Sequence, residues 1–180
     1  TPMIEEMAKV NNIEIMLSLT GFKWIGKMIN DFPNKYFIGA GEESYGFLFG
    51  DFVRDKDAIS SSLLICEICN ELKEKGKSFV DQLIDCYTDY GIYSERLVTK
   101  KYIGVEGRKK IDSIIDGIRT NPPKKIGNSD VLIKEDYLLS EKVNLKTNTL
   151  EKIKLPKSNL IILKCEDKTS VCLRPSGTEP

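Results

Sequence analysis

The run Tyr36-Phe37-Ile38-Gly39-Ala40 is five residues long, apolar and bounded by turn formers, and it opens onto Gly41-Glu42-Glu43-Ser44-Tyr45-Gly46. A run this short predicts a buried strand that delivers a loop. Two capped helices follow it. Asp57 caps a helix through Ile59, Leu63 and Cys66, with Leu64 and Ile68 on the adjoining face, that stops near Gly76. Ser78-Phe79-Val80-Asp81 resembles a capping box for a second helix, which carries Leu83, Ile84 and Tyr87 and ends at Gly91. Upstream, Thr1-Pro2 starts a helix reaching about Asn11. Ile13, Ile15 and Leu17 then alternate with Glu14, Met16 and Ser18 as a strand would, and Phe22 to Asp31 is helical until Pro33-Asn34 breaks it. Strand and helix in alternation predict an α/β unit over residues 1–91.

The pattern changes after Gly91, and a second domain is expected over residues 92–180. Leu97 to Ile103 suggests a strand, and Ile111, Ile114, Ile115 and Ile118 form a helical stripe closed by Asn121-Pro122-Pro123. Val131 to Ile133 is a candidate strand, while Lys134 to Ser158 is polar, turn-rich and weakly patterned. Leu160 to Cys165 and Ser170 to Leu173 flank Glu166-Asp167-Lys168 as the two arms of a hairpin. That hairpin leads into Arg174-Pro175-Ser176-Gly177-Thr178-Glu179-Pro180.

Composition narrows the chemistry. With 41% hydrophobic and 30% charged residues and no apolar run near the ~20 residues of a membrane span, the chain reads as a soluble globular protein. It shows no secretory signal, so a cytoplasmic address is expected. Lys+Arg and Asp+Glu balance at 27 each, which gives no field to attract nucleic acid or an acidic membrane. Histidine is absent, so acid–base chemistry by imidazole is excluded within these residues. Cys66-x-x-Cys69 has the spacing of half a zinc site but lies on a helical apolar stripe. With Cys165 and Cys172 on hairpin strands, all four are expected to be reduced core residues.

Three segments carry candidate ligand chemistry. In the terminal loop Arg174 offers a planar fork of donors, Ser176 and Thr178 offer hydroxyls, and Gly177 lets backbone N–H groups approach closely. Such a set suits a phosphate, and equally an ordinary turn at a hairpin exit. The segment Gly41 to Gly46 places two carboxylates and a hydroxyl between glycines at a strand end, a position suited to sugar hydroxyls, to a metal, or to a solvated turn. In Arg54-Asp55-Lys56-Asp57, Asp57 caps a helix and Lys56 is either a point charge for phosphate or part of a solvated helix start.

Together with Thr20-Gly21-Phe22-Lys23-Trp24-Ile25-Gly26, these segments resemble the α-D-phosphohexomutase family in order and spacing, closest to its bacterial-type phosphoglucomutase branch, which includes phosphopentomutase-like relatives. The resemblance covers nearly the whole chain. It implies an α/β third domain, a mixed sheet with helices, over residues 1–91, lacking its first strand. It implies an α+β, TATA-binding-protein-like fourth domain over 92–180, lacking its C-terminal end. It further implies that Glu42 and Ser44 hold adjacent sugar hydroxyls and that Thr20 and Lys56 contact the bound sugar bisphosphate. Arg174, Ser176, Gly177 and Thr178 would bind the phosphate that is not being transferred.

Members of the family interconvert sugar 1-phosphate and 6-phosphate through a phosphoserine and a sugar 1,6-bisphosphate intermediate. The phosphoserine loop of the Thr-Ala-Ser-His-Asn-Pro type and the magnesium loop of the Asp-Pro-Asp-Ala-Asp-Arg type are absent from this sequence. The resemblance therefore implies no catalytic residue and no metal ligand here, with Mg2+ bound by N-terminal domains of the same protein. The isolated chain is expected to be inert. A non-catalytic sugar-phosphate-binding module is the alternative, as is specificity for a mannose or pentose phosphate.

Overall fold

A computed structural model describes residues 2–42 and 45–175. The chain divides into two compact units, Thr1–Arg96 and Leu97–Pro180.

The first unit is built from α1 (Pro2–Val10), α2 (Phe22–Asp31), the strands β1 (Gly39–Glu42) and β2 (Gly46–Phe49), then α3 (Ala58–Glu74) and α4 (Phe79–Tyr90). The helices begin and end where their caps predict. Asp57 accepts a hydrogen bond from the Ile59 N–H at the start of α3, and Ser78 with Asp81 forms a complete capping box on α4. Phe22, Ile25 and Leu48 make the buried cluster, with Ile29, Phe37 and Ala40 packed against it, so the apolar face of α2 is covered by the hairpin. A second tie comes from the Asp57 N–H, which donates to the Phe47 carbonyl at 3.0 Å and fixes the start of α3 to β2.

Several expectations change. The strand expected at Tyr36–Ala40 lies three residues later and is half of an antiparallel hairpin, with Gly39 opposite Phe49 and Glu42 opposite Gly46. Tyr36 and Ile38 are exposed. Register is decided by the partner, and Gly46–Phe49 pairs with Gly39–Glu42, so the apolar run contributes only its last two residues. Residues Ile13 to Leu17 form no ladder and are exposed. The Ile13 N–H is taken by the Ala8 carbonyl at the end of α1, and Glu14 pairs with Lys35. Alternation alone does not make a strand where no neighbour takes up its backbone groups. Cys66 and Cys69 are exposed on α3 and not in a core, because among the described residues the face of α3 that carries them has no element packed over it.

The second unit places α5 (Gly104–Thr120) before the strands β3 (Lys125–Ile126), β4 (Ser129–Asp136), β5 (Glu141–Asn144), β6 (Leu150–Lys152), β7 (Ile161–Cys165) and β8 (Ser170–Leu173). All pairings are antiparallel, in the order β6-β5-β4-β7-β8 with β3 on β4, giving an α+β unit. Ile115 of α5 meets Val131, Ile161, Leu163 and Cys165 in its core. The predicted hairpin is β7–β8, with Lys164 opposite Ser170. Of the four cysteines expected in cores, Cys165 is buried and Cys172 is exposed, since alternate residues of β8 face opposite ways.

Leu97 to Ile103 is not a strand. Its chain turns into α5 so tightly that a Cβ on Gly107 would lie 2.5 Å from the Tyr102 carbonyl carbon, which commits this segment to the helix. The polar stretch after Lys134 holds β5 and β6. Its strands pair through charged side chains such as Lys142 and Glu151 at 2.9 Å, so they carry no hydrophobic alternation to read. Asn144 turns the chain between them by accepting from the N–H groups of Lys146 and Thr147.

One polar cluster joins α5 to the sheet. Asp136 is fully buried, accepts from Arg119 Nε at 2.9 Å, and takes the Leu138 N–H at 3.0 Å on its other oxygen. Arg119 also reaches Asp116 and Asn159, and Lys134 Nζ caps the Arg119 carbonyl. Removing one member of a buried pair strands the other charge. Asp136→Ala is expected to lower unfolding free energy by about 3–5 kcal/mol in urea denaturation, whereas an unchanged midpoint would show the pair to be dispensable.

Candidate functional site

Gly21 precedes α2 as its N-cap with φ 114°, a conformation that costs glycine little. It offers no side chain to cap the helix. The carboxylate of Glu42, brought over by β1, fills that role: Glu42 Oε2 accepts the Gly21 N–H at 2.9 Å. The Glu42 side chain is 8% exposed, so a buried anion sits on the positive end of a helix. A carboxylate has about four lone-pair sites, and one such bond leaves capacity for further hydroxyl donors.

Lys56 approaches the same carboxylate from the loop before α3, with Nζ 3.9 Å from Glu42 Oε1. The ammonium also bonds Asp55 Oδ1 at 3.2 Å and lies 5.1 Å from the centroid of the Phe22 ring. The Lys56 backbone N–H at 2.7 Å, and secondly its ammonium, hold the Asp55 carboxyl below the usual aspartate range. Two glycines make this convergence possible. A Cβ on Gly46 would fall 2.6 Å from Lys56 Cδ and 2.7 Å from Phe22 Cε2, and one on Gly26 would fall 2.7 Å from the Arg54 carbonyl oxygen. Arg54 is tethered to α2 by its Nε bond to Asn30 at 3.0 Å. An open depression lined by Val53, Arg54, Asp55, Lys56, Asp57 and Ile59 lies beside Lys56.

Of the residues singled out in the sequence, Glu42 and Lys56 meet in the first unit, and Thr20 directly precedes Gly21, whose N–H Glu42 accepts. Ser44 lies outside the described residues. Arg174 directly follows the edge strand β8 of the second unit, is exposed, and makes no ion pair with a described residue. Ser176, Gly177 and Thr178 lie outside the described residues, as does Thr1. The parts of Phe22, Gly46 and the Gly21 N–H were not legible beforehand. Gly46 carried the one available signal, a glycine closing a charged segment. Among the described residues no three His, Cys, Asp or Glu side chains converge as a metal site, and no helix is long and apolar enough to cross a membrane.

The site thus sets a carboxylate at a strand end on a helix N-terminus beside a lysine, and comparisons with known proteins identify the family of the chain. Residues 1–90 match the family model for phosphoglucomutase/phosphomannomutase, alpha/beta/alpha domain III. The chain is 42% identical over 181 aligned positions to the phosphoglucomutases of Staphylococcus aureus strains MSSA476 and MRSA252, and 41% identical to that of strain N315. Each alignment covers 99% of this chain and 32% of the relative, so the chain spans about a third of the length of these proteins. No solved structure matches it. The chain belongs to the α-D-phosphohexomutase family of phosphoglucomutases and phosphomannomutases, and its first unit is that family's α/β domain III.

The tight seat at Gly46 has a measurable consequence. Gly46→Ala is expected to cost about 1–3 kcal/mol in urea unfolding, because its methyl group meets the buried Phe22 ring. Identical unfolding curves would mean that neither the Phe22 ring nor the Lys56 stem closes over this position.

Proposed function

We propose that this chain supplies substrate-binding elements of a phosphoglucomutase-like enzyme, an intramolecular phosphotransferase of carbohydrate metabolism that interconverts sugar 1-phosphate and 6-phosphate. The observation that carries the proposal is Glu42, nine-tenths buried and bonded to the Gly21 N–H, with the Lys56 ammonium 3.9 Å away. The one fixed hydrogen bond orients the carboxylate, and its remaining lone pairs accept two adjacent sugar hydroxyls, with Ser44 adding a donor and acceptor. Because a pair of neighbouring ring hydroxyls presents nearly the same face after the sugar turns over, such a contact serves both orientations of a bisphosphate intermediate. Thr20 and Lys56 contact that bisphosphate, Lys56 as a point charge.

Arg174, with Ser176, Gly177 and Thr178, anchors the phosphate that stays in place, the fork of Arg174 pairing with two phosphate oxygens. In this reading the second unit is a fourth domain of TATA-binding-protein-like fold, and its six-stranded antiparallel sheet with one covering helix supports that assignment. The proposal assigns Mg2+ and the phosphoserine to other parts of the protein, where the metal would supply charge neutralisation for phosphoryl transfer. Held without a phosphoryl donor, a sugar phosphate bound here gains no route to reaction. That the relatives are named phosphoglucomutases supports a glucose phosphate as the substrate in this reading.

Two measurements on the full-length protein test this assignment. Glu42→Ala is expected to abolish most mutase turnover while leaving phosphorylation of the active-site serine detectable, and undiminished turnover would remove Glu42 from the site. Arg174→Ala is expected to weaken glucose 1-phosphate binding by about 1.5–3 kcal/mol in calorimetry. Equal affinities would show that Arg174 does not bind phosphate.

A further inference from the structure

We infer that Phe22 is a positioning residue, whose buried ring holds the Lys56 ammonium in place for an anionic sugar phosphate. The inference rests on the reading of Lys56 as a phosphate contact.

A lysine on a four-carbon stem has many rotamers, and an exposed ion pair restrains it weakly. Lys56 is such a case: its side chain is 51% exposed, and its nearest partner, Asp55, is 76% exposed. The firm constraints lie on its other side. The Lys56 stem runs over Gly46, where even one added carbon would approach Cδ within 2.6 Å and Cγ within 2.8 Å. The same added carbon would touch Phe22 Cε2 at 2.7 Å, so stem and ring enclose the space above Gly46. Phe22 is itself 2% exposed and locked in the cluster with Ile25 and Leu48. Its ring therefore has little freedom.

The ammonium stands 5.1 Å from that ring's centroid, within the range of attraction between a cation and an aromatic face. A buried ring keeps its attraction when a phosphate arrives, because it does not compete for the ammonium's N–H donors. Asp55 and Glu42 do compete for them. Aromatic attraction thus positions Lys56 while leaving its hydrogen bonds available to an anion. Phe22 also follows Gly21, whose N–H orients Glu42, so one short segment sets both the carboxylate and the ammonium.

The experiment uses the full-length protein, glucose 1,6-bisphosphate as the probe, and calorimetric affinity as the readout. Phe22 is replaced by trifluorophenylalanine and pentafluorophenylalanine, which keep ring shape but progressively remove the negative face, and each variant is also made with Lys56→Ala. Affinity is expected to fall stepwise with fluorination, about three- to tenfold in all, and to be unaffected by fluorination once Lys56 is alanine. Phe22→Leu is expected to lower affinity at least as much, with Lys56→Ala again removing the difference. If Lys56→Ala alone weakens binding but fluorination does not, the positioning role of Phe22 is overturned while the phosphate contact stands. A fluorination effect that persists with Lys56→Ala also overturns it, since Phe22 then acts by packing. If Lys56→Ala leaves affinity unchanged, the contact itself fails and the inference falls with it.

Discussion

The hydrogen bond from the Gly21 N–H to Glu42 joins two segments that the chain presents 21 residues apart, and the first unit is arranged around that junction. It gives α2 an N-terminal acceptor that its own N-cap residue lacks, and it places the burial cost of a carboxylate against the positive end of a helix. The hairpin cannot slide along α2 without breaking it. A shift of β1 by one residue would turn Glu42 away from the helix and break its pairing opposite Gly46. The same bond that stabilises the hairpin's seat thus aims the carboxylate proposed to read a sugar.

Around this junction, small residues decide how near the other elements come. Gly46 and Gly26 admit the Lys56 stem and the Arg54 backbone at distances that any side chain would forbid. The loop carrying Arg54 to Asp57 is therefore drawn onto α2 and β2 before α3 begins, and the Asp57 N–H bond to Phe47 holds it there. A helix cap, an ammonium and a carboxylate are brought together by packing as much as by charge.

The second unit solves a different problem. Its sheet is antiparallel and rich in charged residues, and α5, its covering helix among the described residues, adds directional polar contacts to the apolar packing of Ile115 and Ile118. The Arg119–Asp136 pair, extended to Asp116 and Asn159, supplies that directionality at the edge of the apolar core. Arg174 directly follows the edge strand β8, where the ladder has paired the chain up to Leu173.

Much of this was legible in the sequence where the signal is local. Caps at Asp57 and Ser78, the stripe from Ile111 to Ile118 and the β7–β8 hairpin are set by neighbours a few residues apart, and the structure has each of them. Glu42, Lys56 and Thr20 could be singled out by motif, and the family they belong to could be named from it. What the sequence could not decide was pairing. Ile13 to Leu17 and Leu97 to Ile103 have strand patterns but no strand to join, and β5 and β6 form without such a pattern because the sheet beside them supplies their hydrogen bonds. The meeting of Glu42 with the Gly21 N–H, and of Lys56 with Phe22 over Gly46, likewise depends on contacts between residues far apart in the chain. The sequence by itself determined the caps, the helices and the chemical groups available. Only the tertiary structure decided which backbone groups they would satisfy, because a strand's register and a charge's partner exist only once a second segment lies alongside.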